Sequence, residues 1–311
     1  MNKKSKIYVA GHKGMIGSAL CRALEKRGYA NLITKSHKAL DLTQQAKVER
    51  FFAKEKPDYV FLAAARVGGI HANNTYPAEF IYQNTMIQSN IIHSAWQQKT
   101  KKLFFLASSC VFPKKTRQPM REDSLMTGLM EPTNEPYGLA KLSGINLCQS
   151  YRRQYGCNFI SAIPANTYGM NDHFDENGHV LAALIGKFHA AKAKGDAEVS
   201  LWGSGKPKRE FLYADDLADA CLFLMKKYNE PGVINIGTGR ETSIKQLAQH
   251  IAKITDFHGK LVFDTSKPDG NPRRLVDSSR IHDLGWQAKT TLEVGLEKTY
   301  SWYQETLTHS K

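Results

Sequence analysis

Ile7-Tyr8-Val9-Ala10-Gly11-His12-Lys13-Gly14-Met15-Ile16-Gly17 decides how this chain is read. A short apolar run is followed at once by three glycines, and a helical pattern (Ala19, Leu20, Ala23, Leu24) runs on to Gly28, a suitable C-cap. Strand, glycine-rich turn and helix in that order make the phosphate-binding start of a Rossmann unit. The glycines permit a tight turn and close backbone approach, and the helix N-terminus favours pyrophosphate charge. The spacing is G-x-x-G-x-x-G, not the commoner G-x-G-x-x-G. The plainer alternative is a turn that merely needs glycines.

Outward from this start the pattern stays α/β. Residues 31–34 read as a second strand, and Asp41-Leu42-Thr43 opens a helix through Val48, Phe51 and Phe52 with Thr43 as N-cap. Residues 58–65 form an apolar strand ending in small residues, which suits a strand end over which a cofactor lies. A helix follows over 77–97, then strands at 102–107 and 158–163. The expected fold is a Rossmann-type, doubly wound parallel sheet. After Gly169 the chain is richer in Gly, His and charge, and a smaller C-terminal α/β substrate domain is expected there. A length of 311 residues suits two ordinary domains or one large α/β unit with a cap.

A second stretch carries the chemistry. In Asn134-Glu135-Pro136-Tyr137-Gly138-Leu139-Ala140-Lys141, Pro136 suits a first helical position, and Leu142, Ile145, Cys148 and Tyr151 continue an apolar row. Tyr137 and Lys141 stand one turn apart on one face. A lysine beside a phenol stabilises the phenolate and lowers the tyrosine pKa from about 10 towards the working pH. Such a phenol can pass a proton to or from a carbonyl or alcohol oxygen. Alone, this spacing more often just decorates a helix. Ser108-Ser109-Cys110 and Pro164-Ala165-Asn166-Thr167-Tyr168-Gly169, each directly after a strand-like apolar run, strengthen the catalytic reading.

Cofactor choice is argued at the end of the second strand. NAD enzymes place an acid there for the ribose 2′-hydroxyl, about 20 residues beyond the glycine turn. Here Thr34-Lys35-Ser36-His37-Lys38 holds no acid until Asp41, and Lys13 adds a cation inside the turn. A 2′-phosphate would suit these donors, whereas a bare ribose would leave them unpaired. NADP, used as NADPH, is therefore expected; an ordinary exposed basic loop is the alternative.

Together these residues resemble the extended short-chain dehydrogenase/reductase family. Arg66-Val67-Gly68-Gly69-Ile70, Ala72-Asn73-Asn74-Thr75-Tyr76-Pro77, Glu131-Pro132-Thr133, Trp202-Gly203-Ser204-Gly205 and Lys267-Pro268-Asp269-Gly270 are similar to its members that act on GDP-sugars. The resemblance spans about residues 6–302. It implies an NADPH-dependent enzyme that epimerises carbons 3 and 5 of GDP-4-keto-6-deoxymannose and reduces carbon 4. A carbon 4 reductase of a related GDP-4-keto-6-deoxy sugar such as a heptose, with or without epimerisation, is the alternative. A catalytically dead nucleotide-binding protein is a third reading, opposed by the intact Ser108, Tyr137 and Lys141.

The resemblance also implies residue roles. Ser108 hydrogen-bonds the carbon 4 oxygen, Tyr137 protonates it, and Lys141 holds the cofactor ribose and tunes the phenol. Cys110 and His179 carry the protons of epimerisation, which their ordinary pKa values near 8.5 and 6.5 suit. By residue type alone, Cys110 is more often a buried small hydrophobe and His179 an ordinary surface histidine. The segment 170–178 is one residue shorter than the family pattern, so His173 competes for the same role; Val180 favours His179. The cofactor is expected on Gly11, His12, Lys13, Gly14, Met15, Ile16 and Gly17. His37, Lys38, Asp41 and Leu42 follow at the second strand, then Leu106 and Ala107 with Ser108 and Lys141. Pro164, Asn166, Thr167 and His179 complete that set. Lys187, Trp202, Arg209 and Asp269 match positions that grip the GDP-sugar. Lys187 replaces an arginine often found there, keeping charge but losing the bidentate fork. Trp202 could instead be core, and Arg209 could pair with Asp215 or Asp216. The family further implies that residues 1–169, with a return segment at about 211–239, interleave with a substrate domain over 170–311. A homodimer through the catalytic-helix face is also implied.

Composition bounds the rest. With 41% hydrophobic and 23% charged residues the chain has material for a sizeable core. Net charge is +14, but the cations are scattered, without an aromatic-interleaved stripe, so no nucleic-acid partner is expected. No apolar run reaches transmembrane length and Met1-Asn2-Lys3-Lys4-Ser5 leads into a strand, so no membrane partner and a cytoplasmic location are expected. Five cysteines (Cys21, Cys110, Cys148, Cys157, Cys221) without a C-x-x-C or Cys/His cluster argue against disulfides and a metal.

Overall fold

The computed structural model describes residues 1–175, 178–267 and 269–309, leaving Pro268 of the quoted Lys267-to-Gly270 motif outside. The chain opens with β1 (Ile7–Ala10), α1 (Met15–Lys26), β2 (Leu32–Ile33), α2 (Gln45–Glu55) and β3 (Tyr59–Leu62). It continues through α3 (Ile70–Thr75), α4 (Pro77–Gln97), β4 (Lys102–Leu106), α5 (Glu135–Tyr155), β5 (Phe159–Pro164) and β6 (Asn166–Tyr168). The second half runs α6 (Val180–Lys194), β7 (Glu198–Trp202), β8 (Lys208–Tyr213), α7 (Ala214–Lys227) and β9 (Val233–Ile236). It ends with β10 (Glu241–Ser243), α8 (Ile244–Thr255), β11 (Lys260–Asp264), β12 (Arg273–Arg274), α9 (Ser279–Asp283) and α10 (Leu292–His309).

Six parallel strands form the main sheet in the order β2-β1-β3-β4-β5-β9. β1, β4 and β5 are buried along their whole length, because a parallel sheet covered on both faces leaves no polar side for alternation. The chain steps outward from β1 to β2 and then returns to β3 on the other flank of β1. Parallel crossovers are right-handed, so this reversal puts α1 with α7 on one face and α2, α4 and α5 on the other. It also opens a crevice beyond the carboxyl ends of β1 and β3, where such sheets bind ligands.

The remaining strands make smaller sheets. β8 pairs with β6 and β12 in parallel and with β10 antiparallel, while β7 pairs in parallel with β11. Ile185, Phe188, Leu247, Ile251 and Leu296 fill a second core below them. The chain crosses between cores more than once: α7, β9, Val276, Ile281 and Trp286 belong to the large one. Of the stretch 211–239, β9 is an edge strand of the main sheet, whereas 211–213 lie in β8 of the smaller one.

Several expectations need adjustment. Thr43 does not cap α2; its hydroxyl donates to Asp41 Oδ1 at 2.7 Å, and the helix begins two residues later. An Asx-type turn has taken the hydroxyl that a cap would have used. The second strand is only Leu32–Ile33, because β1 alone is available to pair with it at the sheet edge. β3 stops at Leu62, although the Ala63 N–H still donates to the Ala10 carbonyl at 3.1 Å. Among the described residues no helix is long and apolar enough to cross a membrane, and all five cysteines are free.

Candidate active site

The glycine turn leaves β1 through Gly11 at φ +87°, a conformation that L side chains rarely adopt. A Cβ on Gly17 would lie 2.0 Å from the Gly11 carbonyl oxygen, so α1 starts hard against the turn it follows. The first turn of α1 carries no acid that would repel an anion, and Gly14 holds the cap position with no side chain in the way. His12 presents a buried Nδ1 with no partner among the described residues, and burial, aided by Lys13, lowers its pKa. An imidazole so placed leaves that nitrogen open to a hydrogen bond. Met15 and Ile16 form the first residues of α1.

Lys13 in the glycine turn and Lys35, His37 and Lys38 beyond β2 are exposed, and among the described residues none of them is in an ion pair with an acid. Asp41 is the first acid there, and its carboxyl is held below the usual range chiefly by the Thr43 hydroxyl. It is therefore already occupied. The Leu42 carbonyl accepts from Asn90 Nδ2 at 2.9 Å, fixing this corner to α4.

The chemistry gathers at the end of β4. Leu106 and Ala107 are buried; Ser108 follows with extended backbone, and its Oγ accepts from the Cys110 N–H at 3.4 Å. From α5, Lys141 Nζ donates to the Leu106 carbonyl at 2.8 Å and lies 5.9 Å from the Tyr137 ring centroid. The Ser108 hydroxyl hydrogen-bonds the Tyr137 phenol, and the Phe80 ring packs edge-on against that ring at 6.0 Å. Asn134 Nδ2 donates to Cys110 Sγ at 3.3 Å. Ser108, Cys110, Tyr137 and Lys141 thus meet in one place.

One electrostatic expectation is corrected. Tyr137 is not lowered by Lys141: burial pushes its pKa up, a neighbouring Cys110 charge adds to that, and the Ser108 hydrogen bond only partly opposes it. Lys141 is itself pushed down by burial, to about 7. Removing both groups from water disfavours each charge, and a lysine half-neutral at pH 7 is a weak stabiliser of phenolate. Burial therefore favours the neutral phenol of Tyr137.

Other expected contacts are distributed around the crevice. Pro164 ends β5; Thr167 Oγ1 donates to the Ala165 carbonyl at 3.1 Å and Asn166 Nδ2 to the Glu210 carbonyl at 3.1 Å. His179 occupies the cap position of α6 and is exposed, on a segment tied to α1 by a 3.0 Å bond from Asn171 Nδ2 to Ser18 Oγ. The Asp172 carboxylate feels both His179 and His173, so position alone does not separate the two histidines.

On the smaller sheets, Trp202 is 74% exposed, so it is not a core residue; Lys267 Nζ lies 5.8 Å from its ring centroid. Arg209 does not pair with Asp215 or Asp216: Arg22 holds Asp215 at 2.5 Å, and Asp216 accepts from Lys289 and Thr290. Instead Arg209 Nη1 donates to the carbonyls of Lys208 and Asn271 at 2.8 and 2.7 Å, and burial pushes its pKa down to about 10. Lys187 donates to the Ser200 carbonyl. Asp269 is engaged by Ser204, from N–H at 2.8 Å and hydroxyl at 2.6 Å, and so braces the glycine-flanked turn beside Trp202.

The model of the NAD dependent epimerase/dehydratase family matches residues 7–237. GDP-L-fucose synthase 1 of Arabidopsis thaliana is 54% identical over 97% of this chain and 94% of its own. A GDP-L-fucose synthetase from Naegleria fowleri, solved bound to NADP, superposes with a TM-score of 0.92 at 30% identity, over 99% and 96% of the two chains. A GDP-6-OMe-4-keto-L-xylo-heptose reductase from C. jejuni superposes at 0.93 with 39% identity, over 98% and 99%.

The chain belongs to the NAD dependent epimerase/dehydratase family.

Within this member of the NAD dependent epimerase/dehydratase family, two residues beside the site escaped the sequence reading. Arg274 Nη2 donates to the Ser109 carbonyl at 2.6 Å, and its charge adds to burial in lowering the pKa of neighbouring Arg209. Neither guanidinium is in an ion pair among the described residues, and two such groups close together suit a diphosphate. Nothing near Arg274 in sequence signals this, because β12 reaches the site only by pairing with β8. Asn134 is the other, and its signal was available: an asparagine directly before a helix, whose preferred task is capping.

Proposed function

We propose that this chain binds NADPH and converts GDP-4-keto-6-deoxymannose to GDP-L-fucose, epimerising carbons 3 and 5 and reducing carbon 4. The observation that carries this is the convergence of Ser108, Cys110, Tyr137 and Lys141 at the end of β4, beside the glycine turn. The heptose alternative has weaker support, heptose reductases at 39% and 42% identity against a GDP-L-fucose synthase at 54%.

The turn fits a dinucleotide because close backbone approach is what Gly11 and Gly17 leave open. Met15 and Ile16 start the helix against which the pyrophosphate would rest, with Leu106, Ala107, Pro164, Asn166 and Thr167 along the strand ends. Lys13, His37 and Lys38 suit a 2′-phosphate. NADPH, when bound, supplies the hydride for carbon 4. The chain's own residues handle protons. Ser108 and Tyr137 hold the carbon 4 oxygen, and Tyr137 gives it a proton that a buried, raised phenol retains until needed. Before that, Cys110 and His179 exchange protons at carbons 3 and 5, both next to the keto group, so the electron pair moves into an enolate on the same held oxygen. Arg209, Lys187 and Trp202 suit the diphosphate and an aromatic face of the nucleotide, with Asp269 setting the turn that presents Trp202.

We read residues 1–169 with about 211–239 as the cofactor half and 170–311 as the substrate half. Free cysteines favour a cytoplasmic location. A homodimer through α4 and α5 would cover their exposed Tyr82, Leu139 and Tyr155.

The test is turnover of GDP-4-keto-6-deoxymannose with NADPH in heavy water. Deuterium is expected at carbons 3 and 5 and not at carbon 4. Reduction without label at either carbon would leave a plain reductase, and turnover of a keto-heptose alone would change the substrate.

A further inference from the structure

Asn134 holds the N-cap position of α5, where an asparagine side chain ordinarily accepts a hydrogen bond from the backbone two or three residues on. It makes no such cap. Its Nδ2 points instead to Cys110 and donates to Sγ at 3.3 Å. Its Oδ1 is buried with no partner among the described residues. One residue thus forgoes both a helix cap and an acceptor bond while keeping an amide N–H against one sulphur. The surrounding packing preserves that contact. A Cβ on Gly138, the next turn of α5, would lie 2.9 Å from the Cys110 carbonyl oxygen and 2.8 Å from Met130 Sδ, so only a glycine lets the helix start this close to the Cys110 turn. Arg274 also grips this turn through the Ser109 carbonyl.

We propose that Asn134 is the positioning residue for Cys110: its amide N–H stabilises the thiolate and aims the sulphur at the carbon it deprotonates. This rests on the reading of Cys110 given above. A hydrogen bond to the charged form of a group favours that form, and for cysteine the thiolate is the reactive form. In the step served, the C–H bond beside the keto group breaks as S–H forms. The electron pair passes into the enolate, whose oxygen Ser108 and Tyr137 hold. Asn134 takes no proton itself.

Two variants test this in the full-length protein. Asn134→Ser keeps a favoured cap residue but is too short to reach the sulphur, and Asn134→Asp keeps the shape while turning a donor into an anion. Alkylation by iodoacetamide at neutral pH is followed peptide by peptide, with half-buried Cys21 and Cys157 and buried Cys148 and Cys221 as internal references. We expect Cys110 alone to react about 10-fold more slowly in Asn134→Ser, and more slowly still in Asn134→Asp. Deuterium incorporation at carbons 3 and 5 should fall in parallel, with NADPH affinity unchanged. A merely structural role would slow no reaction at Cys110 selectively. Unchanged alkylation, or undiminished label despite slower alkylation, overturns the proposal while Cys110→Ala still loses the label. If Cys110→Ala keeps the label, the role of Cys110 fails and that of Asn134 falls with it.

Discussion

Lys141 Nζ donates a 2.8 Å hydrogen bond to the Leu106 carbonyl, which pins α5 to the end of the central strand β4. The ammonium is buried to do this, and burial pushes its pKa down to about 7, against about 10.4 in an unfolded chain. Between these values the unfolded chain binds more protons, so cofactor-free stability gains from Lys141 as pH rises from 7 towards 9. Lys141→Met should flatten that rise and melt higher at pH 7, by a few degrees, while losing reduction. Melting curves across this pH range check it; an unchanged slope in the variant would show that Lys141 is not the titrating group.

Tyr137→Phe should lose reduction by a factor of about 10² to 10⁴, the usual worth of a positioned proton donor, since the Ser108 hydroxyl is a far weaker acid than a phenol. NADPH binding should persist. Single-turnover NADPH oxidation separates the two, and a rate within threefold of the parent would count against the assignment.

The exposed cations around the crevice make a cofactor prediction. Replacing Lys13, His37 and Lys38 by neutral residues should raise KM for NADPH by roughly 10- to 100-fold, as charge-assisted contacts are worth. KM for NADH should hardly move. Equal use of both cofactors by the unmodified protein would remove the idea.

Gly17→Ala places a methyl where the Gly11 carbonyl oxygen already stands, 2.0 Å away. The turn can survive only by moving, so NADPH affinity should fall at least about 100-fold, well beyond the ~1 kcal/mol gain a helical alanine ordinarily brings. Fluorescence titration of NADPH measures it.

A structural lysine supplies the last prediction. Lys102 Nζ is buried and donates to the carbonyls of Leu224, Met225 and Tyr228 at 3.1, 2.8 and 2.5 Å, closing the C-terminus of α7. Lys102→Met would remove the donor to the Met225 and Tyr228 carbonyls, Leu224 keeping the Tyr228 N–H, and should cost about 1–3 kcal/mol in urea unfolding, with kcat unaltered. No loss of stability would mean that water reaches the helix end.

Most of the fold could be read locally. The helix over 77–97 needed only its apolar period and Pro77, and α4 spans Pro77–Gln97. Strands such as 102–107 announced themselves as continuous apolar runs, because both faces of a parallel sheet are covered. Where a side chain had two competing local partners the reading failed: Thr43 bonded Asp41 in place of capping a helix.

By itself the sequence determined the glycine turn, the order of strands and helices, and the residues able to move protons, because each depends on neighbours a few positions away. Only the tertiary structure decided what those residues feel. That Tyr137 is raised and not lowered follows from burial, which no spacing of Tyr and Lys reveals. That Arg274 reaches the Ser109 carbonyl across 165 residues follows from β12 pairing with β8. Desolvation and long-range contact depend on the whole packed chain, and neither is written in any short stretch of it.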